Sequence, residues 1–360
     1  MIRGAIAAVA VLAATSAMAE DKVVHVYNWS DYIDEQILKD FETETGIKVV
    51  YDVFDSNDIL ETKLLAGSSG YDVVVPSGSF LQRQIQAGVF RELDKDKLSN
   101  IGNLWEAVTA RTDQFDPGGA HAVNYLWGTT GIGYNTAAAK ERLGSEVIDT
   151  WSVIFDPETI AKFSDCGVHM LDAADEMIPA ALNYLGLPPD SKDAGEIEQA
   201  GALLESIRPH ITNFNSSAYI NALAQGDACL AVGWSGDVLQ ARDRAAEANN
   251  GITVAYSIPN EGALMWFDMM AIPNDAPHPE NAHTFIDYML RPEVIAKASN
   301  YVNFANGNAA SKPMLGESVI NDPAIYPPDA AIDNLYVTSP YGPRIQRTVT
   351  RLWTKVKTGS

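Results

Sequence analysis

Apolar and polar positions alternate with two different periods along the first part of the chain. KVVHVYN (22–28) reads as a strand, and DEQILKDFETETG (34–46) as a helix with Ile37, Leu38 and Phe41 on one face and Gly46 as its stop. IKVVYDVFD (47–55) is a second strand. SNDILETKLLAG (56–67) is a second helix, with Ser56 or Asn57 as its cap and Gly67 at its end. YDVVVPS (71–77) is an unbroken apolar run of the kind buried on both faces of a parallel sheet, and SFLQRQIQAGVF (79–90) a third helix. Short strands alternating with helices predict an α/β fold built on an open, mostly parallel sheet.

The pattern changes at NYLWGTTGIGYN (124–135), a Gly- and Thr-rich segment that reads as a crossover into a second α/β region. There, GVHML (167–171) and ACLAVGW (228–234) have strand character. ALMWFDMMAIP (263–273) is a strand with Met265, Phe267 and Met269 on one face and Trp266, Asp268 and Met270 on the other. PENAHTFIDYMLRPEVIAKASN (279–300) is amphipathic helix broken near Pro292.

In an open α/β sheet, ligands sit in the crevice beyond the carboxyl ends of the strands. The first strand ends at Trp29-Ser30-Asp31-Tyr32 and the third at Pro76-Ser77-Gly78-Ser79-Phe80. LDAADE (171–176) sets Asp172, Asp175 and Glu176 after another strand. AVGWSGDV (231–238) sets Trp234 and Asp237 at a glycine-flanked strand end, and MWFDMM (265–270) puts Asp268 inside an apolar strand. A carboxylate there is costly unless paired. Each tryptophan alone reads better as a core residue; together with carboxylates at strand ends they describe a cleft.

That combination suits an ammonium ligand. Trp and Tyr faces attract a cation by about 0.5–2 kcal/mol each, carboxylates and hydroxyls accept its N–H groups, and a methylene chain would lie along the aromatic walls. Enzyme readings lack support: H-E-x-x-H, G-x-S-x-G, G-x-G-x-x-G and the P-loop pattern are all missing. The histidines show no metal-like spacing, and His278 and His283 read as surface residues of a Pro-rich loop. No cofactor and no metal are expected.

Composition adds three constraints. Residues 1–19 carry Arg3, an apolar stretch and Ala17-Met18-Ala19, the pattern of a signal peptide cleaved after Ala19, which predicts export. The 47 acidic against 25 basic residues give a net charge of −22, a surface that repels nucleic acid and attracts cations. Cys166 and Cys229 make an isolated pair, expected to form a disulfide in an oxidising compartment. The length predicts two domains.

VYNWSDYI, FETETGIKVVYDVFDSNDILETKLLAGSSGYDVVVPS, WGTTGIGYN, CGVHMLDA, SSAYINALAQGDACLAVGWSGDV and NEGALMWFDMMAIP closely resemble the periplasmic polyamine-binding proteins of ABC importers, the putrescine-binding branch especially. The similarity runs from about residue 22 to TRLWTKVKTG, nearly the whole mature chain. It implies a type II periplasmic binding protein fold, each lobe a mixed, mostly parallel sheet flanked by helices, with the ligand cleft between lobes. Residues 20–128 plus 260–315 would form lobe 1, and 129–259 plus 316–360 lobe 2. Carried over residue by residue, the resemblance implies that Trp29, Ser30, Asp31 and Tyr32 form the first ligand motif. Ser77, Ser79 and Phe80 form the second. Glu176 and Ser216 meet one ligand end, and Trp234, Asp237 and Asp268 hold the other ammonium. It also pairs Cys166 with Cys229.

The chain departs from that pattern at three positions. Phe304 stands where the putrescine branch usually has a tyrosine, Trp266 where it can carry the smaller Phe, and Asn124 where Pro is common. Overall similarity favours putrescine, while a larger ring at 266 could favour spermidine. The implied protein is a monomeric receptor, not an enzyme, that presents its polyamine to permease subunits in the inner membrane. The rivals are an exported enzyme acting on amines or sugars, and a receptor that serves a sensor.

Overall fold

The computed structural model describes residues 21–359, so the expected signal peptide lies outside the described residues. Among the described residues, ten strands make one continuous set of pairings: β1 (Val23–Trp29), β2 (Lys48–Phe54), β3 (Val73–Val74), β4 (Ala122–Asn135), β5 (Val168–Met170), β6 (Asn213–Phe214), β7 (Leu230–Trp234), β8 (Val254–Ser257), β9 (Met265–Ala271) and β10 (Ala305–Asn306). The order is β2-β1-β3-β9-β4-β7-β5-β6, with β8 and β10 also on β4. β1, β2 and β3 run parallel, as do β5, β6 and β7. β4 and β9 enter antiparallel, so the sheet is mixed where its two halves meet.

β4 is the organising strand. Ala122–Thr129 pairs with β9 and β10, whereas Thr130–Asn135 pairs with β7 and β8. The segment that reads as a crossover is therefore a single buried strand threading both halves. Its pairing with β9 shifts register between Asn124 and Trp127, a bulge that bends the strand just before the junction.

Local signals act as the pattern predicts at Gly46 and Ser56. Asp34 caps the helix Glu35–Thr45 through Gln36 N–H, and Gly46 ends it at φ 69°. Of the two possible caps for Asn57–Leu65, Ser56 accepts from Ile59 N–H. The expected third strand shrinks to Val73–Val74 because Pro76 has no N–H to add to a ladder. Pro76 still accepts from Met269 N–H, and Ser77 bridges Asp268 across the gap. The long helical stretch splits into Pro279–Met289 and Pro292–Val302, each with proline in its first turn.

Two hydrophobic cores flank the junction. The first includes Val24 and Val26 of β1, Phe267 of β9, and Phe285 and Ile295 of the split helices. The second includes Val168 and Val232, Leu204, and Val349 and Trp353 of the terminal helix Pro343–Thr358. Trp234 and Tyr256 pack against both. Val319 and Ile325 belong to the first core, so its packing continues past residue 315. The Cys166–Cys229 disulfide, with Cα atoms 5.6 Å apart, ties the approach to β5 to the approach to β7.

The histidine assignment needs correcting. His283 is buried: its Nε2 accepts from Asp94 N–H at 3.0 Å while its Nδ1 lies 2.7 Å from the Pro279 carbonyl. His278 precedes the same helix and packs against the fully buried Asp72. Periodicity could not place either one, because the partners that bury them are distant in sequence.

Candidate functional site

A pocket of about 410 Å³, including the open space at its mouth, lies where the two cores meet. Three carboxylates reach it from three elements. Asp268 extends from β9, next to Trp266, while Phe267 between them turns into the core. Its Oδ2 accepts from Tyr32 Oη at 2.8 Å and its Oδ1 from Ser77 Oγ at 2.6 Å. Asp237 stands in the first turn of the helix Ser235–Ala248, where the helix dipole favours a negative charge. Tyr219 Oη donates to it at 2.8 Å and itself accepts from Trp234 N–H. Glu176, in the first turn of Ala174–Tyr184, accepts from Thr130 Oγ1 and from Trp234 Nε1 at 3.0 Å.

None of the three has a cationic side chain within 4.0 Å among the described residues. Burial is the main force on their protonation. It pushes the Asp268 carboxyl up to about 7 against the hydrogen bonds from Ser77 and Tyr32. It pushes Asp237 up to about 7 against the hydrogen bond from Tyr219. Glu176 is raised as well, first by burial and then by the neighbouring Asp175. The site is thus a desolvated pocket of carboxyl groups that burial holds short of full ionisation until a cation enters.

Aromatic rings form its walls. Trp29 meets Trp234 edge-on at 5.4 Å between centroids, Trp234 meets Trp266 at 6.4 Å, and Trp266 meets Phe304 at 5.3 Å. Trp29 Nε1 donates to the Val75 carbonyl at 2.9 Å, which fixes the ring against β3. Two glycines make room for the other rings. A Cβ on Gly128 would lie 2.7 Å from Trp266, and one on Gly236 2.5 Å from Phe304. The wider ring at 266 therefore depends on a bare backbone at the β4 junction.

Ten of the sequence-predicted site residues line the cavity: Trp29, Ser30, Tyr32, Ser77, Glu176, Trp234, Asp237, Trp266, Asp268 and Phe304. Four do not. Asp31 has φ 53°, which turns its carboxylate away to pair with Arg244 at 2.7 Å. Ser79 and Phe80 lie in the first turn of the helix Gly78–Gln86 and line a neighbouring cavity of about 450 Å³, where Arg83 stacks on Phe80 at 3.8 Å. Ser216 accepts from Asp172 N–H behind the site, and Asp172 pairs with Lys357. Thr130 and Tyr219, which orient two of the carboxylates, went unread. Their positions in a glycine-rich strand and in the first turn of the helix Ala218–Gln225 carry no local signal of that role.

Residues 36–327 match the family of bacterial extracellular solute-binding proteins. The putrescine-binding periplasmic protein SpuD of Pseudomonas aeruginosa is 51% identical over 95% of this chain and 93% of its own length. The putrescine-binding periplasmic protein PotF of Escherichia coli is 48% identical over 100% of this chain and 97% of its own. Among solved structures, the spermidine/putrescine ABC transporter substrate-binding protein PotD of Streptococcus pneumoniae superposes with a TM-score of 0.76 at 28% identity, covering 94% of this chain and 99% of that one. The fold is that of the type II periplasmic binding proteins. With two α/β halves joined through β4 around one acidic, aromatic cavity, the chain belongs to the bacterial extracellular solute-binding proteins.

Proposed function

We propose that this chain is a periplasmic receptor that captures a protonated polyamine, putrescine first, and delivers it to the permease of an ABC importer. The observation that carries the reading is the set of three buried carboxylates, Asp237, Asp268 and Glu176, with no cationic side chain within 4.0 Å among the described residues, inside walls of tryptophan. A diammonium ligand supplies the missing charges, and its methylenes take the aromatic surface between them. One ammonium is held between Asp237 and Asp268, beside Ser77, and the other faces Glu176 and Ser30. The naming of the relatives as putrescine-binding periplasmic proteins supports the ligand and the compartment.

The two lobes, 20–128 plus 260–315 and 129–259 plus 316–360, close on the ligand about β4, with 316–325 leaning on the first lobe. Asp268 and Asp237 approach the ammonium from elements on opposite sides of the junction, so the ligand binds the closed form better and shifts the population toward it. The chain acts as a monomer and makes or breaks no bond. Residues 1–19 are its signal peptide.

A second reading, spermidine, is favoured by one feature. Ser77, Glu176 and Trp266 are shared with an adjoining cavity of about 350 Å³ that also contains Asp175, whose carboxyl is raised by burial and by Asp58. A longer amine could reach past Trp266 into it. Native mass spectrometry of the refolded protein, given an equimolar mixture of putrescine, cadaverine, spermidine and spermine, tests both. The retained mass identifies the preferred amine, and retention of none would reject the polyamine reading.

A further inference from the structure

On the far side of β1 from the cavity, two histidines share one carboxylate. His25 on β1 and His278 before the helix Pro279–Met289 lie 47 and 206 residues from Asp72 in sequence, yet both rings reach the same oxygen. His25 Nδ1 is 3.2 Å and His278 Nδ1 3.0 Å from Asp72 Oδ2, and the rings stack at 5.5 Å with 26° between planes. The Asp72 side chain is fully buried. Its Oδ1 accepts from His278 N–H at 2.6 Å and its Oδ2 from His25 N–H at 2.8 Å, so the backbone fixes its orientation.

We propose that His25, Asp72 and His278 form a site for one divalent transition-metal ion, with zinc the best match. One donor atom from each lies within 4.8 Å of the other two. Zinc bonds of about 2.0–2.1 Å to nitrogen and oxygen place the ligands of a tetrahedral ion about 3.3 Å apart. The two nitrogen–oxygen separations, 3.2 and 3.0 Å, fall at or slightly short of that, within reach of a small ring rotation. Two neutral imidazoles and one carboxylate form a donor set that suits zinc over magnesium or calcium. The backbone N–H groups on Asp72 are the outer contacts that hold a ligating carboxylate in place. The histidine side chains are 29% and 14% exposed, which leaves a path for the ion and a position for a water ligand.

The ion would staple the start of β1 and the approach to β3 to the loop before Pro279–Met289. All three lie on the first core, so the ion stabilises that half without touching the ligand cavity. The competing role for the same geometry is a pair of hydrogen bonds into Asp72 with no ion.

Cobalt(II) distinguishes the two. Protein refolded after chelation should bind one equivalent with the intense visible absorption of a four-coordinate site, and one equivalent of zinc should displace it and raise the thermal midpoint. Asp72 is fully buried, so its variants test folding as much as binding. The more exposed histidines are the better targets. His25→Gln and His278→Gln, with native circular dichroism, should each lose the visible band. Absence of the band in the parent protein, or its persistence in both variants, would overturn the proposal.

Discussion

Replacing Asp268 with Asn separates a ligand-binding carboxylate from a structural one, because affinity and stability should move in opposite directions. The side chain is 4% exposed, and the change keeps its shape. Asn can still accept from one of Tyr32 and Ser77 and donate to the other, since each hydroxyl can reverse its role. What disappears is the charge. Burial holds the Asp268 carboxyl at about 7 against an ordinary 3.8, and a rise of roughly three units is worth about 4 kcal/mol as an upper bound. With the folded value above the unfolded one, the folded protein binds the proton more tightly. The carboxyl's contribution to stability therefore declines as pH rises from about 4 to about 7 and is lowest above that window. Ligand-free Asp268→Asn protein should consequently melt higher than the parent at about pH 8 and nearly level with it at about pH 4. Its affinity for putrescine should fall by about 2–5 kcal/mol, the usual cost of removing one partner of a buried charge pair. That corresponds to roughly thirty-fold to several-thousand-fold in Kd. Calorimetric titration and thermal melts across that pH range read both quantities. Affinity within about threefold of the parent, or a lower melting point at alkaline pH, would refute the reasoning.

Three further outcomes follow from the same geometry. The ligand-free pocket keeps part of its proton load near neutrality through Asp237, Asp268 and Glu176; an ammonium favours the ionised forms, so affinity should rise from about pH 5 to about pH 8 with proton release. Titrations in two buffers of unlike ionisation enthalpy check this, and proton uptake would contradict it. Gly128→Ala should crowd Trp266 and weaken ligand binding, and Trp266→Phe in that background should restore part of the loss, since a Cβ at 128 meets the outer edge of the indole. Equal affinities of the two variants would show that the contact does not shape the pocket. Reducing the Cys166–Cys229 bridge, with its sequence separation of 63, should cost up to about 4 kcal/mol of stability while leaving the affinity of the folded protein unchanged; a denaturation curve with and without reductant measures it.

Features written in a few adjacent residues were legible: the stop at Gly46, a cap at Ser56 or Asn57, and the tryptophans and carboxylates at strand ends. Ten site residues converge because strand ends in an α/β sheet share one edge. Features fixed by distant partners were not. The φ of 53° at Asp31 and the ion pair with Arg244 turn a residue of the first motif out of the cavity. β4 was read as a connection because its glycines and threonines look like a loop; its burial comes from β7, β8 and β9 on either side. Similarly, His25 and His278 meet only because Asp72 stands between the strand that carries one and the segment before Pro279–Met289 that carries the other.

The most direct test of the central claim is a calorimetric titration of the refolded mature protein with putrescine, alongside butane-1,4-diol, which has the same chain and no charge. Tight one-to-one binding of the diamine and no heat with the diol is the predicted result, because the carboxyl groups of Asp237, Asp268 and Glu176 are what select the ligand. Comparable binding of both, or of neither by a protein shown to be folded, would mean that these carboxylates serve something other than an ammonium.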